Sequence, residues 1–325
     1  MTLLPSPEGV VLMENVGQQP AKKGFLDSLR DFYDKKYKVL LIIPFVMFIT
    51  ALALIGMKIA QTGDFMNKDV SLKGGVTITI PTDAQIEPLS LENALKGSFP
   101  GNDITVRALS QFGTQIGVIV QADVAQGEVS GLLDSIRQAT KLKLKANDYT
   151  AEVIGSTLGQ SFFREAFKAL IFAFIAMAIV VFIYFRTFVP SMAVVLAAFS
   201  DIVVTLAVVN LMGMRIGTAG IAAFLMLIGY SVGTDILLST RVLKRKEGSV
   251  MDRVLSSVTT GMTMTMTSIV AVTVALLFAQ SDTIRQIMTI LLIGLIADII
   301  NTWIQNVGIL RLYLERKQAK AEQLK

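Results

Sequence analysis

The sequence predicts a polytopic α-helical membrane protein, six transmembrane helices with one α+β domain on the outer side of the membrane. Three observations carry this reading. Of the 325 residues, 53% are hydrophobic and only 17% are charged, against about 25% charged in soluble domains. Six apolar segments are each long enough to cross a bilayer, and one long polar-to-mixed stretch separates the first from the other five.

A helix crossing about 30 Å of hydrocarbon at a rise of about 1.5 Å per residue needs roughly 20 apolar residues. Segments 39–59, 166–185, 189–211, 219–238, 257–279 and 287–310 meet that length, each bounded by charges, Gly or Pro. The organisation is therefore a tail (1–38), a first span (39–60), an outer domain (61–160), a five-helix bundle (161–312) and a second tail (313–325). Spans two to six are joined by short turns such as Arg186-Thr187-Phe188 and Gln280-Ser281-Asp282. The first 37 residues contain Pro5, Pro7, Gly17 and Pro20 and no early apolar core. No cleavable signal is expected there, and the first span should remain as an anchor.

Lys and Arg near span ends are retained on the cytoplasmic side. They concentrate at Lys22, Lys23, Arg30, Lys35, Lys36 and Lys38, in the segment Arg241-Val242-Leu243-Lys244-Arg245-Lys246, and at Arg311, Arg316, Lys317 and Lys320. Six crossings place all three groups on one side, so both termini are expected in the cytoplasm of a multi-pass cell-membrane protein. Residues 61–160 then lie outside, with eight Lys and Arg against eleven Asp and Glu, a net of −3.

Within that domain, 76–80 (VTITI) alternates and is β-branched, while 89–99 has helical periodicity and ends at Pro100-Gly101. Two further strand-like runs, 103–109 and 114–121, flank a hairpin signal at Gln111-Phe112-Gly113. A helical run at 127–140 and a last strand at 149–154 complete the order β-α-β-β-α-β, a ferredoxin-like arrangement.

The chain has no Cys and no His, which excludes disulfides, thiol nucleophiles, Cys/His metal sites and imidazole acid–base chemistry. No Gly-rich phosphate loop or clustered carboxylates mark the outer domain. No enzyme activity, cofactor or metal is expected. The net charge of +5 follows from cytoplasmic Lys and Arg, and no nucleic-acid partner is implied.

Ionisable groups inside a membrane are expensive and mark functional sites by default. Asp201 lies near the centre of span three and Asp298 near the centre of span six, so both are candidate ion-coupling carboxylates. Asn301 and Gln305 follow Asp298 by three and seven residues, on one helical face that should turn to protein. Span five offers Ser256, Thr260, Thr263 and Thr267 at a similar period. Gly229 and Gly233 form a G-x-x-x-G spacing that permits close helix approach. Asp235 falls within a turn of the predicted end of span four.

Several motifs resemble the SecF branch of the SecD/SecF protein-export family, which is related to the resistance-nodulation-division superfamily. Asp69-Val70-Ser71-Leu72-Lys73-Gly74-Gly75 is similar to the Asp-aromatic-x-Gly-Gly motif opening the family's outer domain, with Val70 in place of the aromatic and extra length before the Gly pair. Gly155-Ser156-Thr157-Leu158-Gly159 resembles the family's G-x-x-x-G before span two. Gly229-Tyr230-Ser231, followed by Asp235 and, six residues on, Arg241, is similar to the family's span-four motif. Its Leu-Leu-Ser-Thr-Arg-Val ending has an archaeal character, and Asp201 matches the family's Asp in span three. The resemblance implies a subunit that acts with a SecD-like partner and the Sec translocation channel on unfolded exported proteins, within membrane lipid. It also implies coupling to an H⁺ or Na⁺ gradient, with Asp201 as ion carrier and Asp235 with Arg241 as a cytoplasmic-end ion pair. Two competing readings are a half-length transporter of a lipid or small amphiphile and a scaffold whose carboxylates only hydrogen-bond.

Overall fold

A computed structural model describes residues 33, 36–111, 114–244, 250–279 and 281–323. Lys22, Lys23, Arg30, Lys35, Arg245, Lys246, Gln280 and the expected hairpin turn at Phe112-Gly113 lie outside the described residues. Among the described residues, six helices are long and apolar enough to cross a membrane: Lys36–Thr62, Ser156–Phe185, Phe188–Leu211, Thr218–Lys244, Val250–Phe278 and Asp282–Lys320.

In chain order the elements are α1 (Ile42–Thr62), α2 (Val70–Lys73), β1 (Gly75–Pro81), α3 (Pro88–Ser98), β2 (Ile104–Gln111), β3 (Thr114–Ala122), α4 (Val129–Thr140) and β4 (Thr150–Ile154). The spanning helices α5 (Ser156–Phe185), α6 (Phe188–Leu211), α7 (Thr218–Lys244), α8 (Val250–Phe278) and α9 (Asp282–Ile300) follow. A π-helical turn (Asn301–Asn306) then leads into α10 (Val307–Gln323). The spans run past their apolar cores into the polar residues that flank them, because helical hydrogen bonding continues where hydropathy falls.

The four strands form one antiparallel sheet in the order β2-β3-β1-β4. Val76, Ile78 and Ile80 pair with Ala122, Val120 and Val118, so the period-two alternation turns all six side chains to one face. Leu91 and Leu95 of α3 and Leu132 and Ile136 of α4 cover that face and close the domain core. The opposite face carries Thr77, Thr79, Thr105, Arg107 and Gln121. The element order is the one the alternation predicts. The short α2 and a 3₁₀ turn at Gln126–Glu128 are too brief to leave a periodic signal.

The bundle inverts this arrangement. Phe172, Ile183 and Phe188 point outward, as lipid-facing side chains should, while Ser, Thr, Asn and Asp turn in. Spans differ in depth: 61% of the most apolar stretch of α6 is buried, but only 6% of that of α5. Thus α6, α7 and α9 form the centre and α5 lies at the edge.

The sheet domain meets the bundle at two places. At the first, Gly74 (φ 91°) crosses the start of α5 so closely that a Cβ there would overlap the backbone of Ser156. A Cβ on Gly159 would come within 2.5 Å of the Gly74 amide nitrogen. The two Gly-bearing motifs of the sequence are therefore two sides of one backbone contact. At the second, the α6–α7 connection is stitched to the segment before α2. The Asp69 amide donates to the Ile216 carbonyl (3.0 Å), the Ile216 amide to the Asn67 carbonyl (2.6 Å) and the Thr218 amide to Ser71 Oγ (3.1 Å). Gln286 of α9 accepts from the Gly217 amide (3.1 Å) and donates to the Arg215 carbonyl (2.6 Å).

Arg215 reaches up to Asp103 (2.6 Å) and Thr105, and Lys73 adds a second ion pair to Asp103 (2.5 Å). Partial burial raises the energy of the Asp103 charge, but Lys73 and Arg215 outweigh it and hold the carboxyl below its ordinary value. A depressed folded-state value means that this stabilisation is complete above the unfolded carboxylate range, about pH 4, and is lost as pH falls through the folded value.

Two outcomes are expected from purified protein in detergent. Gly159→Ala should lower stability by about 1–3 kcal/mol, the usual cost of overpacking, measured by thermal unfolding. An Asp103→Asn/Arg215→Gln double-mutant cycle should give a coupling of about 1 kcal/mol or less that shrinks in high salt, constant from neutral pH down to about pH 5 and vanishing at acid pH.

Candidate functional site

Three aspartates from three spans converge in the centre of the bundle. Asp201 on α6 and Asp235 on α7 are fully buried, and Asp298 on α9 is 1% exposed. The six-residue π turn after α9 closes around them with Asn301, Thr302, Gln305 and Asn306, all buried.

The hydrogen bonds divide into two lobes. In the first, Asp201 accepts from Ser231 Oγ (2.5 Å) and Asn301 Nδ2 (2.7 Å), while Gln305 Nε2 donates to Ser200 Oγ (3.4 Å). In the second, Asp235 Oδ1 accepts from Asn306 Nδ2 (2.7 Å), and Thr302 Oγ1 lies 2.9 Å away. Asp298 stands between them, its Oδ1 2.9 Å from the same Thr302 hydroxyl and its Oδ2 3.3 Å from Thr234 Oγ1. None of the described ion pairs includes any of the three. Asp235 Oδ2, Asn301 Oδ1, Gln305 Oε1 and Asn306 Oδ1 are buried and accept no hydrogen bond from any described residue.

The three- and seven-residue spacing of Asp298, Asn301 and Gln305 predicts a buried stripe, and all three are buried. Thr302 and Asn306, four and eight residues after Asp298, fall on the same helical face and are buried as well. A π turn adds a residue per turn, which lets one short segment address α6 through Asn301 and Gln305 and α7 through Thr302 and Asn306. The sequence does hold a signal: N-T-W-I-Q-N places four polar residues among six within an otherwise apolar span.

Asp235 corrects the sequence reading. It is not at a span end, since α7 continues to Lys244, and it makes no ion pair with Arg241. Residues six apart on an α-helix point about 120° apart, so Asp235 turns inward while Arg241 turns to α8. There Arg241 donates to the Ser256 carbonyl (2.5 Å), Ser256 Oγ (3.2 Å) and Thr260 Oγ1 (2.9 Å).

The Gly229/Gly233 expectation changes too. Both glycines are exposed, and a Cβ on either would meet nothing within 4 Å, so their spacing serves no helix contact within this chain. Tyr230 beside them is half exposed. Thr263 and Thr267 are exposed and donate to carbonyls of their own helix. Close approach occurs instead at Gly261, where a Cβ would overlap the Trp303 ring, and at Gly294 against Leu227. Asp69, Gly74 and Gly75 belong to the domain junction: Asp69 caps α2 by accepting from the Ser71 amide (2.5 Å), and Gly75 (φ 127°) packs against the Ala122 carbonyl.

The family model described as protein export membrane protein SecD/SecF, C-terminal, matches residues 134–316. The chain belongs to the SecD/SecF family of protein-export membrane proteins. It is 39% identical to the protein-export membrane protein SecF of Pyrococcus furiosus, over 90% of this chain and 97% of that protein. Identity is 38% to SecF of Methanocaldococcus jannaschii, over 88% of this chain and 99% of that one. Among solved structures, the translocon-associated SecDF of Thermus thermophilus superposes with a TM-score of 0.66 at 17% identity. That likeness of fold covers 87% of this chain but only 38% of the longer SecDF chain.

Asn301→Ala removes one of the two donors to Asp201 and should cost about 1–3 kcal/mol, whereas Thr263→Ala on the outer face of α8 should stay within about 0.5 kcal/mol. Thermal unfolding of the two variants side by side in detergent checks both values.

Proposed function

We propose that this protein assists export across the cell membrane together with a SecD-like partner beside the Sec channel, and that the aspartate cluster couples this work to an ion gradient. The reading is supported above all by three carboxylates, drawn from three different spans, that share one interior held by hydroxyl and amide groups. Acids placed there respond to ion binding with a change in helix packing. One elementary charge moving through about 100 mV supplies roughly 2.3 kcal/mol, enough to bias a two-state equilibrium about fifty-fold.

The route outward runs along α7. Its middle carries Ser231 and Asp235, and the amide of its first residue, Thr218, donates to Ser71 in the segment that opens the sheet domain. A shift of α7 reaches that domain without crossing a flexible linker. The Lys and Arg distribution supports termini in the cytoplasm and a sheet domain outside, where emerging polypeptide would be handled. The greater length of the SecDF chain leaves room for a partner half, which the present chain takes from a separate subunit.

Gradient-dependent export in vesicles tests the coupling. Asp201→Asn, Asp235→Asn and Asp298→Asn should each abolish stimulation by the gradient while leaving assembly intact. Full stimulation in all three variants would remove the coupling role. Purification in mild detergent should bring a larger SecD-like chain along, and recovery of the chain alone with bound lipid would favour a lipid transporter.

A further inference from the structure

At the end of the bundle away from the sheet domain, the last turn of α5 lies against the last turns of α7. Thr240 Oγ1 of α7 donates to the Tyr184 hydroxyl of α5 (3.2 Å). The Lys244 ammonium lies over the Tyr184 ring, 4.0 Å from its centroid, and also donates to that hydroxyl. Both contacts use the phenol oxygen as an acceptor, so its own proton is left to donate. Two residues further on, Arg186 closes α5 in a left-handed conformation (φ 53°). Arg186 is exposed and makes no side-chain hydrogen bond or ion pair with any described residue, and no described carboxylate pairs with Lys244. Two uncompensated cations and a phenol proton are thus gathered at one helix junction.

The surface beside them is apolar. Val180 and Ile183 on the outward face of α5, and Phe188 at the start of α6, are among the most exposed large side chains of the chain, as residues facing lipid tails are. A guanidinium binds phosphate oxygens in pairs, and an ammonium adds a point charge. Basic groups between helix ends at a membrane surface take up phosphate headgroups.

We propose that Arg186, Lys244 and Tyr184 hold the phosphate of an anionic membrane lipid, whose tails lie along Val180 and Ile183. The apolar face favours a lipid over free phosphate. The two unpaired cations favour an anionic headgroup over one that carries its own ammonium, which would bring a third positive charge to the site. The lipid has a mechanical task. Only 6% of the most apolar stretch of α5 is buried, so few protein contacts hold this edge span; a phosphate shared by Arg186 and Lys244 clamps its end to α7. The site lies outside the aspartate cluster and does not depend on the coupling reading.

Native mass spectrometry of the delipidated full-length chain, offered phosphatidylglycerol or phosphatidylcholine with and without inorganic phosphate, tests it. The wild type should retain one phosphatidylglycerol in preference to phosphatidylcholine. Arg186→Gln/Lys244→Gln should weaken that binding about thirtyfold, roughly fivefold for each cation, and Arg186→Lys/Lys244→Arg should keep it. Lys317→Gln/Lys320→Gln removes the same charge from the exposed part of α10 and should bind as the wild type does. Wild-type retention in Arg186→Gln/Lys244→Gln overturns the site. An equal loss in Lys317→Gln/Lys320→Gln overturns it too, since the attraction would then be diffuse. Displacement of the lipid by an equal concentration of inorganic phosphate overturns the lipid assignment in favour of a soluble anion. Tyr184→Phe removes only a hydroxyl and decides the matter even where the charge variants do not fold: it should weaken binding about tenfold, the usual loss of a hydrogen bond to a charged group, and unchanged affinity overturns the site.

Discussion

A carboxyl group in the middle of a membrane has no water to bond, so the helix that carries it must be held wherever its partners are. This constraint orders the bundle. Asp201 draws α6 to Ser231 of α7 and Asn301 of the π turn, and Asp235 draws α7 to Thr302 and Asn306. Apolar contact alone does not fix these helices against each other, because lipid offers Leu and Ile an equally good environment. Small residues let the helices close in once the polar groups have set their register, as Gly294 does against Leu227. In the sheet domain the order of causes is reversed: water drives Val76, Ile78, Leu95 and Ile136 together, and the polar face of the sheet is what remains.

Much of this was legible in the sequence because each level has its own signal. The spans show as uninterrupted apolar runs, and β1 shows as VTITI, whose alternation says which residues share a face. Asp201 and Asp298 stand out because a charge within an apolar run has few explanations. Asp235 was misplaced for the same reason: the apolar run fades after Leu238, and hydropathy reads the end of a run as the end of a helix. Backbone hydrogen bonding carries α7 on to Lys244, which puts Asp235 well inside.

Other features leave no one-dimensional trace. The change of helical pitch at Asn301–Asn306 is one, although Thr302 and Asn306, four and eight residues after Asp298, fall on the same 3.6-residue face as that carboxyl. The G-x-x-x-G spacing of Gly229 and Gly233 reads as a packing motif, yet spacing does not say toward which neighbour it points. Conversely, the two motifs around Gly74 and Gly159 are far apart in sequence and read as separate features, although they are one contact in space.

That contact determines how the sheet domain is carried. The chain leaves the membrane region through Gly74 and returns through the start of α5 at the same spot, so β1 to β4 form one excursion whose ends meet, tied back to the bundle by Arg215 through Asp103 and Thr105. Such a closed loop can lengthen, shorten or be exchanged for another fold whose ends lie equally close, and the helices beneath would register no change in spacing. The bundle and the domain above it are free to diversify at different rates, as an engine and its interchangeable tool.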